Sequence, residues 1–410
     1  MSEFQNKLEK YAELAVKIGV NIQEGQTLVI NATFDSVELV RLIVKKAYES
    51  GAGNVNVNWS DDTVDRIKYE LAPDSAFNEY PVWRAKEQIE LAENGAAFLS
   101  IVSTSPSLLK GVDPERITNY NKARGKALAQ YRKYVQTDKI SWSIIAAPSP
   151  KWAAQVFPDA PVDQQVNLLW DAIFNATRID RENPVEAWSL HDEKLNARTK
   201  FLNERQYKKL VYKAPGTDLS IELPNRHVWI GASSVNEKGD RFFANMPTEE
   251  VFTAPLKTGV NGYVSSTKPL SYGGNIIDRF MLTFENGRIV NVKAEEGEDI
   301  LKRLVDTDEG SHYLGEIALV PFHSPISESN ILFFNTLFDE NASNHLAIGS
   351  PYAYCIEGGK EMSAEELREN GLNDSHTHVD FMIGSAEMDI DGITEDGNVE
   401  AIFRNGNWAF

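Results

Sequence analysis

Between residues 4 and 59 the hydrophobic pattern alternates between the period of a helix and that of a strand. Phe4, Leu8, Tyr11, Ala12, Ala15 and Ile18 recur at helical spacing, with Gly19 as the expected C-terminal cap. Thr27-Leu28-Val29-Ile30 is an apolar run too short for a helix and suited to a buried strand. Asp35 or Ser36 then opens an amphipathic helix through Val37, Val40, Ile43, Val44 and Ala47 that ends at Gly51, and Val55 and Val57 alternate in a strand over 54–59. Strand, helix and strand in this order form a βαβ unit with parallel strands and a right-handed crossover. Strand-like runs at 96–103 and 140–146, a helix over about 114–136, and helices after Pro150 and Val162 continue the alternation. The expectation is α/β: an N-terminal open domain over 1–207 with a mostly parallel sheet.

Beyond that the texture changes. Residues 213–218, with Pro215 and Gly216, read as a turn-rich linker. Short alternating runs follow at 219–223, 228–231, 259–265, 279–284 and 289–294. Asn286-Gly287 marks a hairpin turn, and Asp396-Gly397 and Asn405-Gly406 mark two more. With a helix over 364–370, residues 208–410 are expected to form a mixed, largely antiparallel α+β domain that carries the metal site. A dinucleotide site in the first domain would need closely spaced glycines after the first strand. The residues there are Asn31-Ala32-Thr33-Phe34-Asp35, and no Gly-Lys-Ser/Thr loop occurs anywhere.

Charge and cysteine narrow the function further. The 410 residues carry a formal charge of −19, which repels nucleic acid and anionic membranes. The densest basic stretch, 122–133, reads as one exposed helix face. The single cysteine, Cys355, permits no intramolecular disulfide. The N-terminus lacks a signal-peptide pattern, and no run approaches the roughly 18–20 apolar residues of a membrane helix. A cytoplasmic protein without nucleic-acid or membrane partners is expected, and the sequons at Asn175 and Asn341 are read as chance.

The histidines concentrate the chemistry. Of seven, His312, His323, His345, His376 and His378 fall within 312–378, amid Glu316, Asp339, Glu340, Asp374 and Asp380. Imidazole and carboxylate together suit zinc, cobalt or manganese, and one cysteine is too few for a structural zinc knot. An open, catalytic type of site remains. If 378–383 is a strand, His378 and Asp380 point the same way and can reach one ion, while Val379 and Phe381 anchor the other face. A short helix starting near Asn341 or Ala342 would put Glu340 at its entry and His345 about one turn inside. His-Glu-x-x-His is absent, which excludes the zincins. Glu316 and Glu250 each sit beside apolar runs, where a lone carboxylate is either salt-bridged or a ligand.

Four segments, taken together, resemble one family. Met-Pro-Thr-Glu-Glu-Val-Phe-Thr-Ala-Pro at 246–255, Gly-Glu at 315–316, Asn-His at 344–345 and His-Val-Asp-Phe-Met-Ile-Gly at 378–384 match the aminopeptidase T / aminopeptidase S family of bacterial metallo-aminopeptidases. The resemblance implies two divalent ions per chain (zinc, cobalt or magnesium). Glu250, Glu316, Glu340, His345, His378 and Asp380 would be the ligands, with Glu316 shared and Tyr352 the active-site tyrosine. It implies hydrolysis of the N-terminal residue from peptides with a free N-terminus by a metal-activated bridging water, and a homodimer. Glu249 is a candidate proton carrier and His376 an outer partner, whereas His312 and His323 are assigned to structure. A non-peptidase metallohydrolase, or a metal-binding protein without turnover, would use the same cluster. A glycoside hydrolase would use paired carboxylates but needs no histidines.

Overall fold

The computed structural model describes residues 2–272 and 275–410. Its two compact units are Met1–Leu190 with Ser233–Pro247, and His191–Ala232 with Thr248–Phe410. The sequence texture leads one to expect a boundary between 207 and 208, whereas the compact units first divide between Leu190 and His191. The compact units make the first one discontinuous.

The first unit is built on strands β1 (Thr27–Thr33), β2 (Asn54–Ser60), β3 (Ala97–Val102) and β4 (Trp142–Ala146). They lie in the order β2-β1-β3-β4 and every pairing is parallel, as the alternation predicts. The helix Val37–Glu49 connects β1 to β2 and buries Leu39, Val40, Ile43 and Ala47. The helix Glu3–Leu14, capped by the Ser2 side chain, buries Leu8, Tyr11, Ala12 and Leu14, and Tyr11 Oη donates to the Ala146 carbonyl at 3.0 Å. Gly19 does not end it as a left-handed cap. The chain passes through a π-helical turn, Ala15–Gly19, and a Cβ on Gly19 would lie 3.1 Å from Ser143 Oγ. The glycine serves a close approach rather than a turn.

The second unit is antiparallel. Its strands begin with β5 (Lys209–Ala214), β6 (Thr217–Glu222) and β7 (Ile230–Gly231). The expected linker at 213–218 is instead the β5–β6 hairpin, with Ala214 opposite Thr217. Pro215 pre-sets the first turn position and Gly216 takes φ 77° at the second, so turn composition was mistaken for a domain joint. A ribbon of β8 (Ser234–Val235) and β9 (Arg241–Phe242) belongs to the first unit. The second unit continues with β10 (Val251–Thr253), β11 (Val260–Ser265), β12 (Leu270–Tyr272), β13 (Asn275–Glu285), β14 (Arg288–Glu296), β15 (Leu314–Leu319), β16 (His345–Gly349), β17 (His378–Met382), β18 (Asp389–Ile393), β19 (Val399–Arg404) and β20 (Asn407–Trp408). Asn286 and Gly287, at φ 49° and 83°, form the predicted turn between β13 and β14.

These strands make two sheets. One runs β12-β13-β11-β6-β5-β18-β19-β20 with β14 beside β13, and the other runs β17-β16-β15-β10-β7. One apolar core takes side chains from both: Leu210, Tyr212, Leu219, Val264, Phe280 and Leu282 from the first, and Val251, Ile317, Leu319, Leu346, Ile348 and Phe381 from the second. Burying each large side chain of this kind contributes about 1.5–3 kcal/mol. The second sheet spends one face on this core, and its other face is free for chemistry.

Candidate metal centre

Side chains alternate along a strand, and the register across the five-stranded sheet shows which ones share its second face. Asp380 is opposite Ala347, His378 opposite Gly349, and His345 opposite both Met382 and Ala318. Glu316 is opposite Ala347, so Glu316, Ala347 and Asp380 form one row across three strands. Glu250 immediately precedes β10, two residues before Phe252, whose partner is Ala318. Glu250, Glu316, His345, His378 and Asp380 therefore converge on one face. The residues between them are the small Ala318, Ala347 and Gly349, which leave room above the sheet.

The row depends on a β-bulge. Leu314 pairs with Ile348 and Glu316 with Ala347, leaving Gly315 as an extra residue. Without it, Leu314 and Glu316 would share a face; with it, Leu314 packs in the core and Glu316 turns to the site. A Cβ on Gly315 would lie 2.4 Å from the Gly349 carbonyl oxygen and 2.5 Å from Ser350 backbone atoms. Gly315→Ala should therefore cost about 1–3 kcal/mol by overpacking, lower the melting temperature and reduce activity. A variant with unchanged melting temperature and activity would show that the bulge does not set the site.

The donor atoms form two groups joined by Glu316. His345 Nε2 lies 3.2 Å from Glu250 Oε2 and 3.6 Å from Glu316 Oε1. His378 Nε2 lies 3.8 Å from Glu316 Oε2 and 3.3 Å from Asp380 Oδ1. In each group the ligand atoms fall within 4.8 Å of one another. Both rings are oriented from behind: His345 Nδ1 is 3.1 Å from the Ser343 carbonyl and His378 Nδ1 is 2.7 Å from the Ser350 carbonyl. A proton on Nδ1 donated to those oxygens leaves each Nε2 lone pair facing the carboxylates.

Glu340, on the 3-10 turn Glu340–Ala342, lies close enough to feel the Glu250 and Asp380 charges but belongs to neither donor group. Here the structure corrects the sequence reading of His345. Ser343 is extended, at φ −166° and ψ 170°, and His345 opens β16 instead of lying inside a helix. Residues 345–349 are fully buried between two strands, and their sheet pairing overrides the local helical pattern. Asn341 braces the turn: its Nδ2 donates to Glu340 Oε1 at 3.4 Å and its Oδ1 accepts from the Glu249 amide at 2.7 Å. Glu249 is buried, and its Oε2 lies 3.6 Å from His191 Nε2. His191 sits far from the histidine-rich stretch and carries no motif of its own in the sequence. Tyr352 stacks on Tyr354 with centroids 5.1 Å apart and lies 5.3 Å from the His378 ring. The remaining histidines stand apart from both groups. His376 is exposed, with its amide donating to Asp308; His323 pairs with Glu328 at the surface; and His312 lies 3.6 Å from Asp306.

The electrostatics of the cluster call for a cation. Burial raises the Glu316 carboxyl above its ordinary range, and burial followed by the Glu250 and Asp380 charges raises Glu340 well above it. Burial opposes a charge on His378, yet Asp380 and Glu316 push it up to about 10. His345 is likewise raised against its burial by Glu250 and Glu316. Burial and the surrounding carboxylates raise Tyr352 well above the usual phenol, so its hydroxyl keeps its proton. Asp380 Oδ1 is buried without a hydrogen bond. The cluster thus attracts positive charge, and divalent ions displacing the Nε2 protons would meet a carboxylate and imidazole donor set that suits them.

A His/carboxylate cluster of this kind is the donor set of a metal-dependent enzyme, and the family match fixes the class. Residues 4–408 match the family described as thermophilic metalloprotease (M29), and the chain belongs to that family. It is 65% identical to aminopeptidase AmpS of Bacillus subtilis over 100% of both chains, and 53% identical to aminopeptidase 2 of Geobacillus stearothermophilus over 100% of this chain and 99% of that one. The solved structure of wild-type AmpT from Thermus thermophilus superposes with a TM-score of 0.94 at 40% identity, covering 99% of this chain and 100% of that one. The chain is a metal-dependent aminopeptidase. No helix among the described residues is long and apolar enough to cross a membrane.

Proposed function

We propose that Glu250, Glu316, Glu340, His345, His378 and Asp380 hold two divalent ions, zinc, cobalt or magnesium, and that the site removes the first residue of peptides bearing a free amino group. The observation that carries the reading is Glu316, whose two oxygens face different histidines in two donor groups. Charge supports the number: four carboxylates carry −4, which two divalent ions balance while both imidazoles stay neutral. When bound, such ions supply Lewis-acid polarisation of a carbonyl and a water acidic enough to ionise near neutral pH.

The chain's own groups complete the chemistry. The Ser343 and Ser350 carbonyls fix the histidine tautomers. The protonated Tyr352 hydroxyl is the donor for the oxyanion that develops on the scissile carbonyl. Glu249, buried beside His191, takes the proton of the attacking water and passes it to the leaving amine. We further place the protein in the cytoplasm as a homodimer, a reading supported by the family likeness and by a lone, buried cysteine. Elemental analysis after metal saturation and desalting should find two ions per chain, and chelation should remove ions and activity together. Less than about one bound ion would sink the proposal.

A further inference from the structure

The basic stretch at 122–133 carries Lys122, Arg124, Lys126, Arg132 and Lys133 with no acid among them, in a chain whose net charge is −19. It does not form one exposed face. It is divided between the helices Pro114–Ala127 and Ala129–Gln136, and its two arginines line a cavity against the parallel sheet, whereas its three lysines are exposed outside it. The lining positions 121, 124, 125, 128, 131, 132 and 135 recur at helical spacing, the pattern that ordinarily buries an apolar stripe on a sheet. Four of them are Asn121, Arg124, Gly125 and Arg132, and neither helix buries a residue. The gap this leaves is floored by Phe98 and Ser100 of β3 and by Trp142 and Ile144 of β4, which the parallel register sets side by side on one face. It holds about 410 Å³, is open to solvent and belongs wholly to the first unit.

We propose that this cavity binds a small organic anion, a carboxylate or phosphate carried on a flat apolar body. Among the described residues neither Arg124 nor Arg132 has an ion-pair partner, and no aspartate or glutamate lines the cavity. A guanidinium offers paired donors that match two oxygens of a carboxylate or phosphate. Gly125 makes room for one of them: a Cβ there would lie 3.3 Å from Arg132 Nη2 and crowd the guanidinium. The apolar body lies on the aromatic floor, where Tyr131 meets Phe98 edge-on with centroids 5.0 Å apart. Burial pushes the Tyr131 hydroxyl up to about 12, so it stays protonated and adds no negative charge. The net charge of the chain repels anions, so an anion is held here by these local contacts alone. An ammonium finds no counter-charge in the lining, so the free amine that marks an aminopeptidase substrate is not what this cavity recognises.

The test is isothermal titration calorimetry of the full chain with 2-naphthoate, phenyl phosphate, inorganic phosphate, 2-naphthylmethanol and L-tryptophan. At least one of the two aryl anions should bind about tenfold or more tightly than the neutral alcohol, the bare phosphate and the zwitterion, within the roughly 10–100-fold that a charge-assisted hydrogen bond contributes. Which aryl anion is preferred tells carboxylate from phosphate. Added sodium chloride should weaken the binding, because the guanidiniums are reached from solvent. Arg124→Gln combined with Arg132→Gln should weaken it by about tenfold or more, and Trp142→Leu should weaken it by loss of the floor. Lys126→Gln is the matched control and should leave it unchanged. Circular dichroism and the hydrolysis of alanyl-p-nitroanilide should stay the same in every variant, which separates loss of the site from loss of the fold. Should the double variant fail to fold, the salt dependence and the neutral alcohol decide on the wild type. No binding of either aryl anion at millimolar concentration, or equal binding of the alcohol, would overturn the proposal. So would binding undiminished by the double arginine variant, the result expected of an anion held at the metal cluster instead.

Discussion

Replacing His345 or Asp380 by alanine should reduce turnover by roughly 10⁴-fold or more, the scale seen when one member of a catalytic unit is removed. The two residues sit in different donor groups, His345 with Glu250 and Asp380 with His378, and Glu316 joins them. Each loss therefore damages a separate half of the cluster. Circular dichroism should be unchanged, because the apolar core lies on the opposite face of the sheet. Metal content should fall in both variants. His323→Ala is the matched control, since that ring is exposed and pairs only with Glu328. Near-normal activity in either variant at saturating metal would remove that residue from the site.

Acetylating the substrate's amino group should cost at least about a hundredfold in kcat/KM. The amide formed has neither the basicity to bind a metal nor a charge to meet the carboxylates. Each 1.36 kcal/mol is about tenfold in rate, so a hundredfold corresponds to about 2.7 kcal/mol, in the range of one lost charge-assisted hydrogen bond. Four carboxylates surrounding the site leave an acetyl cap no favourable partner. Equal cleavage of free and acetylated forms of one peptide would mean that the amine is not captured, and the enzyme would have to be read as an endopeptidase.

The N-terminal parallel sheet was legible because helix and strand periods alternate cleanly there, and β1 and the helix Val37–Glu49 fall where the pattern puts them. The pairing of His378 with Asp380 was legible for a similar reason: two residues apart on a strand means one face. The family motifs supplied the rest of the proposed ligand set, which spacing alone could not. Strand order brings Glu250 beside β15, although 65 positions separate it from Gly315 in the chain. The bulge that turns Glu316 toward the cluster leaves no pattern except a glycine in an apolar run. The neighbours of His345 carry helix-entry residues, and only the flanking strands make that segment extended. Pro215-Gly216 looked like a linker because hairpin turns and domain joints draw on the same residues.

Neighbouring positions of β16 answer to different masters, with Leu346 and Ile348 serving the core and His345, Ala347 and Gly349 the chemistry. Substitutions in one set therefore touch the other only through the backbone they share. What cannot drift is the number of residues between them. A single insertion or deletion in this strand would exchange the sets, turning histidine into the core and leucine onto the reacting face. Such a strand tolerates changes of side chain far better than changes of length, and Gly315 is the one position of its partner strand β15 where an extra residue is accommodated.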